Sequence, residues 1–273
     1  MVEENSRISR PLGEKNSVRS GMSYKIFFSN IGYAKGIDGS LRQHISMAGR
    51  HFYCSLPVQE QVLAQVKALI DAEQPDLCCL VEIDQGSFHS SGFNQIKGLA
   101  DSTYNFHDIA DKYGHQSLLG RLWFHRGKSN AFLSRHVFSF ERLYFKYGTK
   151  RLLYRLDISD DLVVFFAHFS LNQKTRQKQF EELRFWIGRE SKEVIILADF
   201  NIFKGFRELD LFMKDSGLRI LNDEKNHTFT FSRRKLTLDL CICSESLVEK
   251  SFLKIIPQPF SDHAALLLDL RGN

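Results

Sequence analysis

Cysteine is scarce in this chain, and what there is follows no binding pattern: five residues in 273, with no C-x-x-C spacing. That argues against a zinc knuckle. The odd count argues against a disulfide scaffold. Cys78, Cys79, Cys241 and Cys243 lie inside apolar runs, where thiols behave as small hydrophobes. The pattern suits a reducing cytosol, so the expected location is cytoplasmic. Long apolar runs are also missing. The longest clean one, residues 162–167, is far short of the ~18 residues a membrane span needs. The polar N-terminus has no apolar segment of the kind a signal peptide carries. Internal repeats and low-complexity tracts are absent. Core material, by contrast, is plentiful, with 24 Phe and 43% hydrophobic residues. The net charge of +5 fits an anionic substrate without naming one.

Residues 1–22 read as a flexible leader and 23–273 as one domain. A first strand is expected over 24–30. The connection 31–56 is broken by Gly32, Gly36, Gly39 and Gly49. Connections of that length are usually functional or mobile, and this one carries Arg42, His44, Arg50 and His51. These suit a phosphate, although a solvated basic loop has the same composition. Pro57 opens a helix over 57–73, with Val58, Val62, Leu63, Val66, Leu69 and Ile70 on one face. Pro75 ends it and a second strand follows at 76–83. Further helices are expected over 94–101, 173–188 and 206–216, the last stopped by Gly217. Further strands are expected over 131–134, 194–198, 228–231, 236–243 and 264–270. A hairpin is expected over 152–158 and 162–169. Strands outnumber helices and several neighbours look antiparallel. The expected class is α/β, with mixed sheets packed together and helices outside.

Polar residues punctuate these apolar strands. Asn30, Glu82, His168 and Asp199-Phe200-Asn201 follow strand-like runs, Asp239 lies within one, and Ser261-Asp262-His263 precedes Ala264 to Leu268. A charged group at a buried strand end is costly unless compensated. Glu82 is the natural ligand for a hard cation, although a lone strand-end Glu is more often salt-bridged. In an extended segment Asp199 and Asn201 share a face and can orient a water and hold a phosphoryl oxygen; a turn uses the same residues. His168 can exchange a proton near neutral pH, with Asn172 and Arg176 at the same mouth. Asp239 needs a partner, and His263 is the candidate. Asn30 can support a metal or its ligands. No Ser or Cys stands in a nucleophile motif.

In these stretches the chain resembles the endonuclease/exonuclease/phosphatase superfamily: Phe28-Ser29-Asn30, Pro75 to Glu82, Ser129-Asn130 to Arg135, Ala167-His168-Phe169-Ser170-Leu171, Ile196 to Asn201, Leu238-Asp239-Leu240 and Ser261-Asp262-His263. The resemblance implies a four-layer α/β sandwich, two mixed β-sheets face to face with helices on the outside. It implies hydrolysis of phosphodiesters or phosphomonoesters with Mg2+ or Mn2+. By position, Glu82 would be the main metal ligand, with Asn30 close by and Asp262 near the metal. Asp199 would orient or deprotonate water, and Asn201 would bind the phosphate. His168 would stabilise the transition state, and His263, oriented by Asp239, would supply the second imidazole. Asn172, Arg42 and Asn130 are the expected substrate contacts. Ala198 stands where the family usually has Gly, and Val81 where Gln often precedes the glutamate.

The expected reaction is in-line attack of water on phosphorus without a covalent intermediate. The leading substrates are nucleic acid or a phospholipid head group, with an inositol-phosphate monoester as the alternative. No obligate protein partner is implied. A nuclease needs a basic groove, for which Lys146, Lys150, Arg151, Arg233, Arg234 and Lys235 are candidates. A lipid-cleaving enzyme needs an apolar rim, for which His51-Phe52-Tyr53 and Leu122-Trp123-Phe124 are candidates. A non-catalytic binding module on the same fold is the competing class.

Overall fold

The computed structural model describes residues 23–114 and 127–272. The expected leader 1–22 and the aromatic stretch at 122–124 lie outside the described residues. Two six-stranded mixed sheets form the centre. The first contains β1 (Tyr24–Asn30), β2 (Leu77–Asp84), β3 (Phe106–Asp111), β4 (Lys128–Ser134), β13 (Ser251–Ile256) and β14 (Ala265–Leu270), in the order β13-β14-β1-β2-β4-β3. The second contains β5 (Ser139–Tyr144), β6 (Leu152–Asp157), β7 (Leu162–His168), β8 (Glu193–Asp199), β9 (Leu218–Ile220) and β12 (Asp239–Ser244), in the order β5-β6-β7-β8-β12-β9. A two-stranded ribbon, β10 (Phe229–Phe231) and β11 (Arg234–Leu236), stands apart.

Each sheet has one parallel pair at its centre, β1 with β2 and β7 with β8, and antiparallel neighbours around it. A parallel pair needs a crossover long enough to return the chain to the same end, usually a helix. The helix α2 (Leu56–Glu73), which follows the short α1 (Leu41–Ser46), serves the first pair. The helix α3 (Gln173–Ile187) serves the second. Val62, Leu63, Val66 and Ile70 of α2 cover Phe27, Cys78 and Leu80 on the outer face of the first sheet. Phe180 and Leu183 of α3 cover Phe165, Ala167 and Ile196 on the outer face of the second. Between the sheets lie Ile26, Phe28, Cys79 and Phe132, packed against Tyr154, Val164, Phe166, Leu197 and Cys241. Strand side chains alternate between faces, so each run feeds two seams and reads as continuously apolar. The result is the expected four layers.

Several expected elements differ in detail. The run 94–101 is a 3-10 turn over Gln95–Gly98. The run 206–216 divides into a 3-10 turn over Phe206–Leu209 and one helical turn, α4 (Asp210–Met213). The run 236–243 is two strands: Leu236 pairs with Phe229 in the ribbon, and Asp239 opens β12 opposite Asp199. Asp239 is therefore at a strand end, not in mid-strand. Apolar periodicity continues across 236–243 because side-chain alternation does not register a change of hydrogen-bonding partner. The connection 31–56 holds 3-10 turns at Gly32–Ala34 and Ala48–His51 as well as α1.

Phe166 is fully buried and its ring stacks on Tyr154 with centroids 4.7 Å apart. Replacing Phe166 by Ala should destabilise the protein by about 3–5 kcal/mol through lost transfer energy and a residual cavity. At Phe252, 47% exposed, the same change should cost at most about 0.5 kcal/mol. Urea unfolding measures both, and a Phe166→Ala cost as small as that of Phe252→Ala would contradict the inter-sheet packing.

Candidate active site

The polar strand ends meet at one rim of the sandwich. In the second sheet His168 pairs with Asp199, and Asp199 pairs with Asp239, across three adjacent strands. All three continue the inward parity of Phe166, Leu197 and Cys241. Opposite them, Asn30 pairs with Val81 and Val81 with Asn130 across β1, β2 and β4. The C-terminal ends of both parallel pairs thus face each other, with the last inward residues of β1, β7 and β8 polar and that of β2 the apolar Val81.

Glu82 reaches this rim by a different route. Val81 faces the inter-sheet seam and Ile83 the helix-side seam, so strict alternation would send Glu82 outward. A bulge between Val81 and Ile83, with Glu82 at φ 54°, adds the extra residue. Bulges re-aim side chains in this way, and a left-handed non-glycine residue costs about 1–3 kcal/mol. The redirected carboxylate lies 3.7 Å from His168 Nδ1 and 4.0 Å from the Lys150 ammonium.

Asp199 is the hub. Its Oδ2 accepts from Asn30 Nδ2 at 3.1 Å and lies 3.0 Å from His168 Nε2 and 3.9 Å from His263 Nε2. Its Oδ1 accepts from the Asn201 N–H at 3.1 Å. The 199–201 segment is therefore an Asx-type turn, with Asn201 at φ 52°, and not the extended segment expected from sequence. The Asn201 amide nitrogen donates to the Phe169 carbonyl at 2.9 Å. His263 Nδ1 pairs with Asp239 Oδ2 at 2.7 Å. Thr228 Oγ1 accepts from the N–H groups of Leu238 and Asp239 and holds that carboxylate's backbone in place. Phe229 of the ribbon bridges to His263 itself.

Electrostatics separates the two imidazoles. Burial alone would lower both. For His168 burial prevails, helped by the Lys150 ammonium. For His263 the Asp239 and Asp199 carboxylates reverse it and raise the ring well above its ordinary range. One neutral imidazole and one imidazolium at neutral pH give an acceptor and a donor side by side. His168 Nε2 is within hydrogen-bond reach of both Asp199 and Lys150; the ring can donate to the first or accept from the second. Burial would raise Asp199, but His168, His263 and Lys150 hold it below the usual carboxylate range. Burial would also raise Glu82, yet His168, Lys150, Lys112 and Lys35 bring it down to about 2.

The model of the endonuclease/exonuclease/phosphatase family matches residues 59–263. The chain belongs to this family. Its members are hydrolases acting on phosphoesters. No curated protein matches the chain. Among solved structures, a Beutenbergia cavernae endonuclease/exonuclease/phosphatase is similar at TM-score 0.63 and 17% identity, over 92% of this chain and 72% of that one. Caenorhabditis elegans TDP2 is similar at TM-score 0.60 and 16% identity, over 93% and 75%. ANGEL2, described as a 2',3'-cyclic phosphatase, is similar at TM-score 0.58 and 13% identity, over 99% of each chain. Identities this low establish a shared fold.

Of the residues expected from sequence, Asn30, Glu82, His168, Asp199, Asn201, Asp239 and His263 are linked through the contacts above. Asn130 stands beside Glu82 on the ladder. Asp262 is half-buried, with its carboxyl raised by burial. Two residues stand apart from these contacts. Asn172 is exposed and caps α3, accepting from Thr175 N–H at 3.1 Å, as Asn at a helix start commonly does. Arg42 is exposed on α1. Arg176, also considered at this mouth, is buried in an ion pair with Glu208. Lys35, Lys112, Lys128 and Tyr33 escaped sequence reasoning, because lysine beside glycine-rich connections looks like ordinary solvated charge.

Family members generally use a divalent metal, and the donors here fit one. Carboxylates and amides are hard oxygen ligands suited to Mg2+ or Mn2+. Asn130 Oδ1 and Nδ2, His168 Nδ1 and Asp239 Oδ1 are buried at this rim with no hydrogen-bond partner among the described residues, a state native proteins keep rare. Ligand atoms of Asp199, Asp239 and His263 also lie within 4.8 Å of one another. The short His263–Asp239 hydrogen bond already accounts for part of that closeness. Lys150 stands beside Glu82, so a cation at Glu82 requires its flexible side chain to withdraw.

Replacing Asp239 by Asn removes the charge that raises His263. The His263 ring should then titrate at markedly lower pH, in an NMR pH titration of metal-free protein. An unchanged titration would show that Asp239 does not govern the imidazolium.

Proposed function

We propose that the chain is a divalent-metal-dependent phosphodiester hydrolase that directs water in line at phosphorus. The observation that carries this reading is the convergence of Asn30, His168 and His263 on Asp199 at the rim where the two sheets meet. Glu82, with Asn30 and Asp262 near it, would hold the metal. When bound, the metal would neutralise non-bridging oxygens and stabilise the leaving oxygen. Asp199 would orient or deprotonate the attacking water, its carboxylate, kept ionised by its neighbours, accepting a hydrogen bond from it. His263, kept protonated by Asp239, would donate to the phosphoryl group as negative charge builds there. Neutral His168 would sit against the same charge from the other side, with Asn201 fixing the strand ends around it. Asn130, with unpartnered amide atoms, would contact a phosphate oxygen.

A nucleic acid strand is the substrate best supported. Arg233, Arg234 and Lys235 are exposed on the ribbon that bridges to His263, and a basic edge beside a catalytic rim attracts a polyanion. A phospholipid head group has its own support: Ile45, Phe52 and Tyr53 are exposed by 69%, 74% and 51%, and Tyr53 contacts exposed Phe88. Clustered exposed apolar side chains mark interaction surfaces.

The test is hydrolysis of bis(p-nitrophenyl) phosphate with Mg2+ or Mn2+ and with EDTA, followed by plasmid DNA, RNA, sphingomyelin and inositol phosphates. Asp199→Ala and His263→Ala should each lower turnover by about 10²–10⁴-fold, the range for general acid–base and oxyanion groups, with an unchanged circular dichroism spectrum. Near-normal rates in both variants would refute these roles. Absence of cleavage and of metal binding would favour a binding module.

A further inference from the structure

Beside the rim, Tyr33 carries three lysine amines on its ring, and among the described residues none of them forms an ion pair with a carboxylate. The Lys35 and Lys112 nitrogens lie 5.1 Å from the ring centroid and Lys128 lies 5.6 Å from it. Lys112 is only 7% exposed and hydrogen-bonds the Tyr33 hydroxyl. Among the described residues no ion pair within 4.0 Å joins a carboxylate to any of the three; Glu82 acts on Lys112 and Lys128 from longer range. One aromatic face attracts a cation weakly; it does not offset the mutual repulsion of three ammoniums or the desolvation of a buried one. Asp84 lines the same cavity together with Tyr33, Lys35, Lys128 and His51. Its carboxylate is already engaged, Oδ1 by the N–H groups of Gly86 and Ser87 and by Ser90 Oγ, Oδ2 by Ser87 Oγ.

The cluster is held rigidly. Tyr33 and Ala34 are consecutive non-glycine residues at φ 57° and 52°, a strained conformation that persists only where its surroundings impose it. Buried Gln95 imposes it here. Its Nε2 donates to the Tyr33 carbonyl at 2.9 Å, and its Oε1 accepts from Asp84 N–H at 2.9 Å. Lys128 pairs with Asp84 on the β2–β4 ladder, just beyond Glu82 and two residues from Asn130. Two strand residues span about 7 Å, so Lys128 lies one strand repeat from Asn130, the proposed phosphate contact, and the other two lysines join it through the Tyr33 ring.

We propose that Lys35, Lys112 and Lys128 around Tyr33 form a second anion subsite, which takes a non-scissile phosphate of the same substrate. This rests on the hydrolase reading for its catalytic meaning, but the binding of an anion does not. The substrate class is narrowed to phosphoesters that carry a second phosphate about one repeat from the scissile one, as in an oligonucleotide with a phosphorylated end or a polyphosphorylated small molecule.

The experiment compares a thymidine dinucleotide with and without a 5'-phosphate, and inositol monophosphate against inositol bisphosphates, in the parent protein, Lys128→Gln and Lys35→Gln. In the parent the extra phosphate should lower KM by about tenfold or more, as expected for a charge-assisted contact. Each variant should lose most of that advantage. The pair of compounds that shows the effect identifies the source of the second phosphate. Equal KM values with and without it in the parent, or an advantage undiminished in both variants, would overturn the subsite. Calorimetric titration with inorganic phosphate in EDTA separates the two readings. Phosphate binding that survives His263→Ala and is lost in Lys128→Gln supports the subsite even if neither dinucleotide is cleaved, an outcome that would count against the hydrolase reading alone. A parent that binds no phosphate and shows no KM difference overturns the subsite.

Discussion

Asp199 is a carboxylate at 1% exposure, and the candidate site is organised around keeping it charged. An isolated buried charge is expensive enough to shift its own protonation or unfold its surroundings. Here the compensation comes from both sheets. His168 is its neighbour across the β7–β8 ladder, Asn30 donates from β1, and His263 approaches from the segment that leads into β14. A contact satisfied from two sheets fixes their relative placement more specifically than apolar packing, which tolerates small slides. The same contact assembles the chemistry, so the site and the closure of the sandwich share one interaction.

That arrangement draws on a rule of strands and on two departures from it. Alternation carries Asn30, Asn130, His168, Asp199 and Asp239 to the inner face without special geometry. Glu82 and Asn201 break the rule: both have positive φ, one to turn a carboxylate inward and the other to bring its amide under the Phe169 carbonyl. Strain at these two positions coincides with the polar rim and not with the apolar seams, as expected where position matters more than local stability.

The rim and its surroundings are richer in positive groups than the net charge of the chain suggests. Lys150 beside Glu82, the imidazolium of His263 and the lysines around Tyr33 all face inward or line cavities. Burial pushes Lys112 down to about 7, against the pull of the Glu82 carboxylate and with the help of the neighbouring lysines. An array of this kind is unfavourable for the empty protein and favourable once an anion arrives. Substrate phosphate and protein charge are in that sense complementary parts of one structure.

The residues that face inward at the centre of each sheet were legible in the sequence. The strands β1, β2, β4, β7, β8, β12 and β14 carry apolar runs and β6 an apolar inner face, and their polar ends stood out against that background. Edge strands were not legible. The sheets end in β13, β3, β5 and β9, half-solvated strands whose mixed composition resembles that of loops. Asn172 shows the same limit at a single residue, since helix capping and substrate contact ask for the same side chain. The chain's own sequence determined the apolar alternation, the order of polar strand ends and, through both, the family. Only tertiary structure decided that the bulge at Glu82 turns inward, that 236–243 divides between ribbon and sheet, and that lysines distant in sequence gather on one tyrosine. Those outcomes depend on which strand accepts which hydrogen bond and on how two sheets abut, and neither is written in the period of a single strand.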